Sequence, residues 1–289
     1  TMGKVYMADK DSIKNSLADT LKSIKPSVFI SVPRIWEKIS ENIEDEINKK
    51  GITGKLIKLF YSKKIIREIG LDECKLCVTS GAPISSNIIN YFKNIGLELH
   101  NIYGMTESTG PITLSFKDQF KINSSGKVIS SLKIKIDKDG EILIKGPTIF
   151  KGYYKNEQDT KKAFDNGWYK TGDLGFIDNE NYLYINGRKK DIIITRGGEN
   201  ITTQNIEGLI MDNIPILNYA VLIGDNKKFL TVLLVLKTKT IFKDKLHNDI
   251  KKIDPDINNY DDAINSDKLT KYIQEKINYI NTKARDNIH

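Results

Sequence analysis

The spacing of apolar residues changes twice along this chain, and those changes restrict the fold more than any single motif does. In the first stretch apolar residues recur every four positions, as Ile13, Leu17 and Leu21 behind Ser12, a predicted N-cap, and again as Ile35, Ile39, Ile43 and Ile47. Between these helical stripes, Val28-Phe-Ile-Ser-Val32 is an apolar run closed by Pro33, the pattern of a buried strand. A strand at Lys75–Thr79, a helix at Ser86–Asn94 and a strand at Leu97–Ile102 follow. From 122 to 188 the period falls to two, with Lys133–Asp137 and Glu141–Lys145 alternating about Asp139-Gly140, a strong hairpin signal. Gly175–Asp178 and Tyr182–Ile185 repeat that arrangement about a polar turn. After Arg188 the pattern mixes again: strands at Ile192–Thr195, Tyr219–Ile223 and Leu230–Leu236, a helix near Thr203–Met211, and polar helices with Leu269, Ile273, Ile277 and Ile280 on one face.

The expected fold class is therefore α/β. An α/β sheet segment over 1–116 leads into a small antiparallel, barrel-like β unit over 117–188, and a small α/β domain over 189–289 follows. The break falls at Gly187–Asp191. Hydrophobic residues at 39% permit a sizeable core, and 28% charged residues fit a folded chain. The net charge of +8 comes from lysines spread along the sequence with only five arginines. They neither cluster nor interleave with exposed aromatics, which argues against a nucleic-acid partner. No apolar run approaches the roughly 18 residues of a membrane-spanning helix. Nothing resembling a secretory signal follows Thr1, and two cysteines suit a reducing compartment, so a cytoplasmic chain is expected. The basic stretch Lys55–Arg67 admits two placements, packed on the sheet or lying peripherally on an anionic intracellular membrane. Cys74 and Cys77 have a C-x-x-C spacing that invites a zinc or redox reading, but zinc needs a second ligand pair and none is near; the pair reads as part of a buried strand.

Common catalytic templates are absent. His100, His247 and His289 lack partners at metal-ligand spacing, and no nucleophile elbow, dinucleotide fingerprint or P-loop occurs. Five glycine-punctuated loops remain, each expected at the end of a strand. Thr79-Ser-Gly-Ala-Pro83 offers small residues that let a flat ligand approach the backbone. Asn101–Gly110 gathers an aromatic ring (Tyr103), a glycine, a hydroxyl (Thr106) and a carboxylate (Glu107), a set able to stack a base, contact phosphate and hold Mg²⁺. Trp168–Gly175 places Asp173 between glycines, where a carboxylate can accept from two ribose hydroxyls. Gly187-Arg188 supplies a fixed cation, and Thr195–Asn200 is a flexible loop past the proposed break.

Taken in order, these loops resemble the acyl-adenylate-forming superfamily. Tyr103-Gly-Met-Thr-Glu-Ser108 matches its Y-G-x-T-E signature, and Glu141-Ile-Leu-Ile-Lys-Gly-Pro147, Trp168–Gly175 and Gly187-Arg-Lys-Lys-Asp191 match the motifs that follow. The flanks Val5–Lys10, Val32–Lys38, Gly197–Asn200 and Ile223–Thr231 resemble long-chain acyl-CoA synthetases of the bubblegum type. The resemblance implies an ATP-dependent ligase that converts a fatty acid to its acyl-CoA through an acyl-adenylate, with ATP, Mg²⁺ and coenzyme A as cofactors or substrates. Gly81, Ala82 and Pro83 would line the adenine and Tyr103 would stack on it, with Gly104, Met105 and Ser108 beside them. Thr106 would touch the α-phosphate, Glu107 would bind Mg²⁺, Asp173 would take the ribose, and Arg188 would reach ribose or phosphate. Lys190 would be the hinge of a mobile C-terminal domain, and Gly197, Gly198, Glu199 and Asn200 would turn toward the pantetheine tunnel.

Two family elements have no counterpart here: the Ser/Thr/Gly-rich phosphate loop and the lysine of the C-terminal domain. The resemblance thus implies the C-terminal portion of a longer enzyme, not expected to form acyl-adenylate by itself. The interval between Trp36 and Cys74 is also shorter than in such enzymes. An adenylation domain loading a carrier protein and a non-catalytic nucleotide-binding module are the alternatives.

Overall fold

The computed structural model describes residues 3–7, 16–49, 62–115, 120–240 and 243–286. Ser12, Ile13, His289 and the first part of the basic stretch, with Phe60 and Tyr61, lie outside the described residues. The chain divides into two compact units, Thr1–Thr171 with Gly175–Ile185, and Gly172–Leu174 with Asn186–His289.

Within the first unit, strands β1 (Val28–Ser31), β2 (Leu76–Ser80) and β3 (Leu99–Ile102) form a parallel sheet in that order. The register pairs Phe29 with Cys77 and Cys77 with Leu99, so these three side chains share one face. Helices Pro33–Lys49 and Ser86–Asn94 cover that face because helical spacing, four residues in the first and three in the second, places Ile35, Ile39, Ile43, Ile89 and Phe92 inward, all buried. Trp36 centres the core, fully buried between Phe29 and Phe92 at ring distances of 5.0 and 5.1 Å, and its indole N–H donates to the Val78 carbonyl at 3.1 Å. Helix Ser86–Asn94 starts where the Ser85 hydroxyl accepts the Ile88 N–H. The described end of the basic stretch, Ser62–Glu68, turns Ile65 and Ile66 into the same core.

β1 departs from the expectation of a buried strand. Among the described residues it has a strand neighbour on one side alone, its Phe29 face packs on the core, and Val28, Ile30 and Val32 are about half exposed or more. The reading of Cys74 and Cys77 as one buried strand is also corrected: Cys77 lies in β2, whereas Cys74 lies in the turn before it. His100 is a buried β3 residue whose Nδ1 lies 3.0 Å from the Ser115 hydroxyl, and burial lowers its pKa, keeping the ring neutral.

The period-two stretch forms the expected antiparallel hairpin, Lys133–Ile136 against Glu141–Lys145, with Gly140 at φ +84° in the turn. The sheet continues through Trp168–Ile177, which pairs with both Phe164–Asp165 and Leu183–Arg188. Ile112, Leu132, Ile142, Ile144, Tyr169 and Leu183 form its core. The second unit holds the hairpins Ile192–Ile194 with Asn200–Thr202 and Leu217–Ile223 with Thr231–Leu236, and the helices Thr203–Asn213 and Asp267–Asp286. Leu269 and Ile280 are buried there, with Ile273 and Ile277 packed alongside, as the stripe predicts. The mixed α/β class read from the sequence is the class found.

Candidate active site

β2 and β3 run parallel, and the Ser80 hydroxyl donates to the Ile102 carbonyl at 2.9 Å, fastening their carboxyl ends together. The loops that leave these ends carry Gly81–Pro83 and Tyr103–Gly110. Crevices beyond the carboxyl ends of parallel strands are where open α/β sheets bind ligands. Gly81, Ala82 and Pro83 are exposed. Gly81 adopts φ +88°, and the space where a side chain would begin is open to 4 Å.

The second loop is fixed by its own backbone. Gly104-Met105 pairs with Gly110-Pro111, and Thr106–Ser108 form a 3₁₀ turn between them. A Cβ on Gly104 would lie 2.5 Å from the Gly110 carbonyl oxygen, so the two sides of this ladder approach too closely for any other residue. The Ser108 hydroxyl oxygen sits 2.6 Å from the Gly110 carbonyl and 2.9 Å from the Met105 carbonyl, and accepts the Met105 N–H at 3.2 Å. Ser108, expected among the nucleotide contacts, is 1% exposed and its hydroxyl is committed to the loop. Tyr103 and Met105 are half-buried against the β core, while Thr106 is exposed.

Glu107 is held by a segment that the sequence motifs left without a role. Its carbonyl accepts the Phe150 N–H at 2.8 Å, the Thr109 hydroxyl donates to the Thr148 carbonyl at 2.7 Å, and the Tyr153 hydroxyl donates to Glu107 Oε1 at 3.2 Å. Phe150 and Tyr169 hold Tyr153 in turn, by an edge-on ring contact at 4.9 Å and a hydroxyl at 3.5 Å. The signal available in the sequence was Gly152-Tyr153-Tyr154, an aromatic pair directly after a glycine and close behind a matched motif. The Glu107 carboxylate offers hard oxygen ligands on a fixed turn. One carboxylate completed by phosphate oxygens and water suits Mg²⁺, which rarely takes an all-protein cage. Among the described residues no group of three or more His, Cys, Asp and Glu could hold a metal by itself.

The remaining expected site residues belong to the second unit. Asp173 is 7% exposed and its Oδ1 accepts from Arg188 Nε at 3.1 Å. The two residues, given separate ligand roles from sequence, are thus an ion pair. Beside them Gly172, Arg188, Lys189 and Lys190 line a shallow hollow, with Lys190 exposed on the 3₁₀ turn Lys189–Asp191. Three cations line this hollow and can neutralise phosphate, and one of them, Arg188, is held by the Asp173 carboxylate. The Thr195–Asn200 loop, expected to be flexible, is a closed hairpin turn: Thr195 N–H donates to the Glu199 carbonyl at 3.0 Å, Gly198 N–H to the Thr195 carbonyl at 2.9 Å, and Glu199 N–H to the Thr195 hydroxyl at 3.2 Å.

Residues 3–154 match the model of the AMP-binding enzyme family, and residues 190–285 match that of an AMP-binding enzyme C-terminal domain. Long-chain-fatty-acid–CoA ligase ACSBG2 of Xenopus laevis is 38% identical over 81% of this chain and 36% of its own length. The chain therefore spans about a third of the length of that relative, and 49% of the human counterpart, to which it is 33% identical over 98% of its residues. Among solved structures, o-succinylbenzoate CoA synthetase from Bacillus subtilis with its acyl-adenylate intermediate superposes with a TM-score of 0.62 at 28% identity, over 78% of this chain and 45% of that one. The family model alone covers more than half of the residues: this chain belongs to the AMP-binding enzymes.

Proposed function

We propose that this chain supplies nucleotide-binding and hinge elements of an ATP-dependent long-chain fatty acid–CoA ligase. The observation that carries the reading is the backbone-fixed Gly104–Gly110 loop, which holds Glu107 at the carboxyl end of a parallel strand. Gly81–Pro83 and Tyr103 receive the adenine, and the exposed Thr106 hydroxyl contacts the α-phosphate. Glu107 holds Mg²⁺, which when bound neutralises phosphate charge. Asp173 accepts from the ribose hydroxyls, and Arg188, oriented by that carboxylate, reaches ribose or phosphate. The fatty carboxylate attacks the α-phosphorus, pyrophosphate leaves, and the coenzyme A thiol then displaces AMP from the acyl-adenylate. Neither step needs an enzyme nucleophile, so these residues act by positioning and by electrostatic stabilisation.

In the same proposal residues 1–188 form part of the large AMP-binding domain, and 189–289 belong to a smaller domain that turns about Lys190. The Gly197–Asn200 turn then faces the coenzyme A arm, and the protein works in the cytoplasm. No described helix is long and apolar enough to cross a membrane, and any peripheral contact would be made without one. The test is a product assay on the protein at its native length, given ATP, Mg²⁺, a long-chain fatty acid and either coenzyme A or a pantetheinylated carrier protein. The expected outcome is AMP formation that requires the fatty acid, with acyl-CoA as product. Thioester appearing only on the carrier, or no fatty-acid-dependent AMP, would overturn the assignment.

A further inference from the structure

Cys74 and Cys77 are used by none of the roles assigned above, yet their arrangement goes beyond core packing. Cys77 lies in β2, 3% exposed, in register with Phe29 and Leu99. Cys74 occupies the turn before the strand, where its N–H donates to the Leu71 carbonyl at 3.1 Å, and it is only half-buried. The two sulfurs lie 3.6 Å apart, with the Cys77 thiol donating to Cys74 Sγ. That separation is a contact distance, about 1.5 Å longer than a disulfide bond. Cys74 is the more exposed residue of the pair and its Sγ also donates to the Leu76 carbonyl at 3.3 Å, while the buried Cys77 thiol is aimed at it.

We infer that Cys74 and Cys77 form a hydroperoxide-sensitive dithiol in which Cys74 is the oxidised sulfur and Cys77 resolves it to a disulfide. The Cys74 thiolate attacks one peroxide oxygen: an S–O bond forms, the O–O bond breaks, and the departing hydroxide or alkoxide takes a proton. Cys77 then gives up its thiol proton and attacks Cys74 Sγ. The S–S bond forms, the S–O bond breaks and water leaves. In sum two thiols and one hydroperoxide give a disulfide, an alcohol or water, and water; the dithiol loses two electrons and the peroxide gains them. Thiol exchange with a reduced dithiol restores the pair. The electrostatics agree: the Cys77 thiol donating to Cys74 holds the Cys74 pKa below the ordinary thiol range although burial opposes this, while burial and the same partner push Cys77 up.

The test treats the reduced protein with an equimolar amount of hydrogen peroxide in the presence of dimedone, followed by peptide mass spectrometry without reductant. The expected result is a peptide spanning 74–77 lighter by two hydrogens, recovered by dithiothreitol, with little dimedone adduct. Cys77→Ser leaves the sulfenic acid unresolved, so the dimedone adduct appears on Cys74. Cys74→Ser lowers the oxidation rate at Cys77 by about tenfold or more, because a buried, protonated thiol is a poor nucleophile. Thermal melting of each variant confirms that it is folded before the chemistry is scored. A dimedone adduct or sulfinic acid on wild-type Cys74 in place of the disulfide, or two thiols that stay unreactive in the folded protein, would overturn the inference. These readouts do not depend on nucleotide binding, so they stand apart from the ligase assignment.

Discussion

Two glycine-containing loops that look alike in sequence are held in different ways. Tyr103–Gly110 is tied at almost every residue: its backbone pairs with itself, Ser108 closes it from inside, and Thr148, Phe150 and Tyr153 hold it from a second segment. Thr195–Asn200 closes mainly on itself, with one tie from a second segment, the Arg196 N–H donating to the Lys227 carbonyl, and with the adjacent Ile194 N–H held by Asp225. Its glycines face open space or an ordinary contact. A loop that must present a carboxylate to phosphate charge gains from being fixed before the ligand arrives. In its proposed role beside coenzyme A, the second turn needs no such frame. Glycine in the first answers a steric demand, while Gly197 in the second answers none.

The largest effect should come from breaking that steric demand. Gly104→Ala places a methyl 2.5 Å from a backbone oxygen, so the ladder must open. We expect about 2–4 kcal/mol of lost stability, as for overpacked or strained sites, and at least a hundredfold loss of Mg²⁺-ATP affinity. Gly197→Ala, where the nearest atom is 3.6 Å away, should stay within about 0.5 kcal/mol in chemical denaturation. Equal losses at the two positions would abolish the distinction between the loops.

The hydroxyls give a second, smaller comparison. Ser108→Ala removes the acceptor for a half-buried N–H, and should cost about 1–3 kcal/mol. Thr195→Ala removes a bond to an exposed N–H that water can replace, and should cost less than about 1 kcal/mol. Urea denaturation of both variants measures the difference.

Smaller still is the effect of Tyr153→Phe, which deletes one hydrogen bond to Glu107 and leaves the ring in place. The Mg²⁺ concentration needed for half-maximal ATP binding should rise about three- to tenfold, in line with one lost hydrogen bond to a charged group. AMP binding without metal should not change. A metal requirement that does not move would detach Tyr153 from the carboxylate.

Much of the frame could be read before any coordinates existed. The four-residue stripe named the core face of the helix starting at Pro33, and the alternation about Asp139-Gly140 named the central hairpin, because both are local patterns enforced by burial. What escaped was long-range. That Ile30 of β1 would be exposed depends on what lies beside it, and an apolar run does not encode its neighbours. The Ser108 hydroxyl looked like a ligand contact because its type suits one; its commitment to Gly110 depends on how the loop closes. Tyr153 reaches Glu107 across 46 residues, and Asp173 meets Arg188 across 15, separations at which spacing carries no signal.

The proposed function rests most on two assignments, Glu107 as the Mg²⁺ ligand and Asp173 as the acceptor for the ribose hydroxyls. The most direct measurement is calorimetric titration of AMP and of Mg²⁺-ATP into Glu107→Gln, Asp173→Asn and the wild-type protein. Asp173→Asn should weaken both ligands by about tenfold or more, since both carry the ribose, whereas Glu107→Gln should weaken Mg²⁺-ATP and spare AMP. Wild-type affinity for AMP in Asp173→Asn would contradict the account.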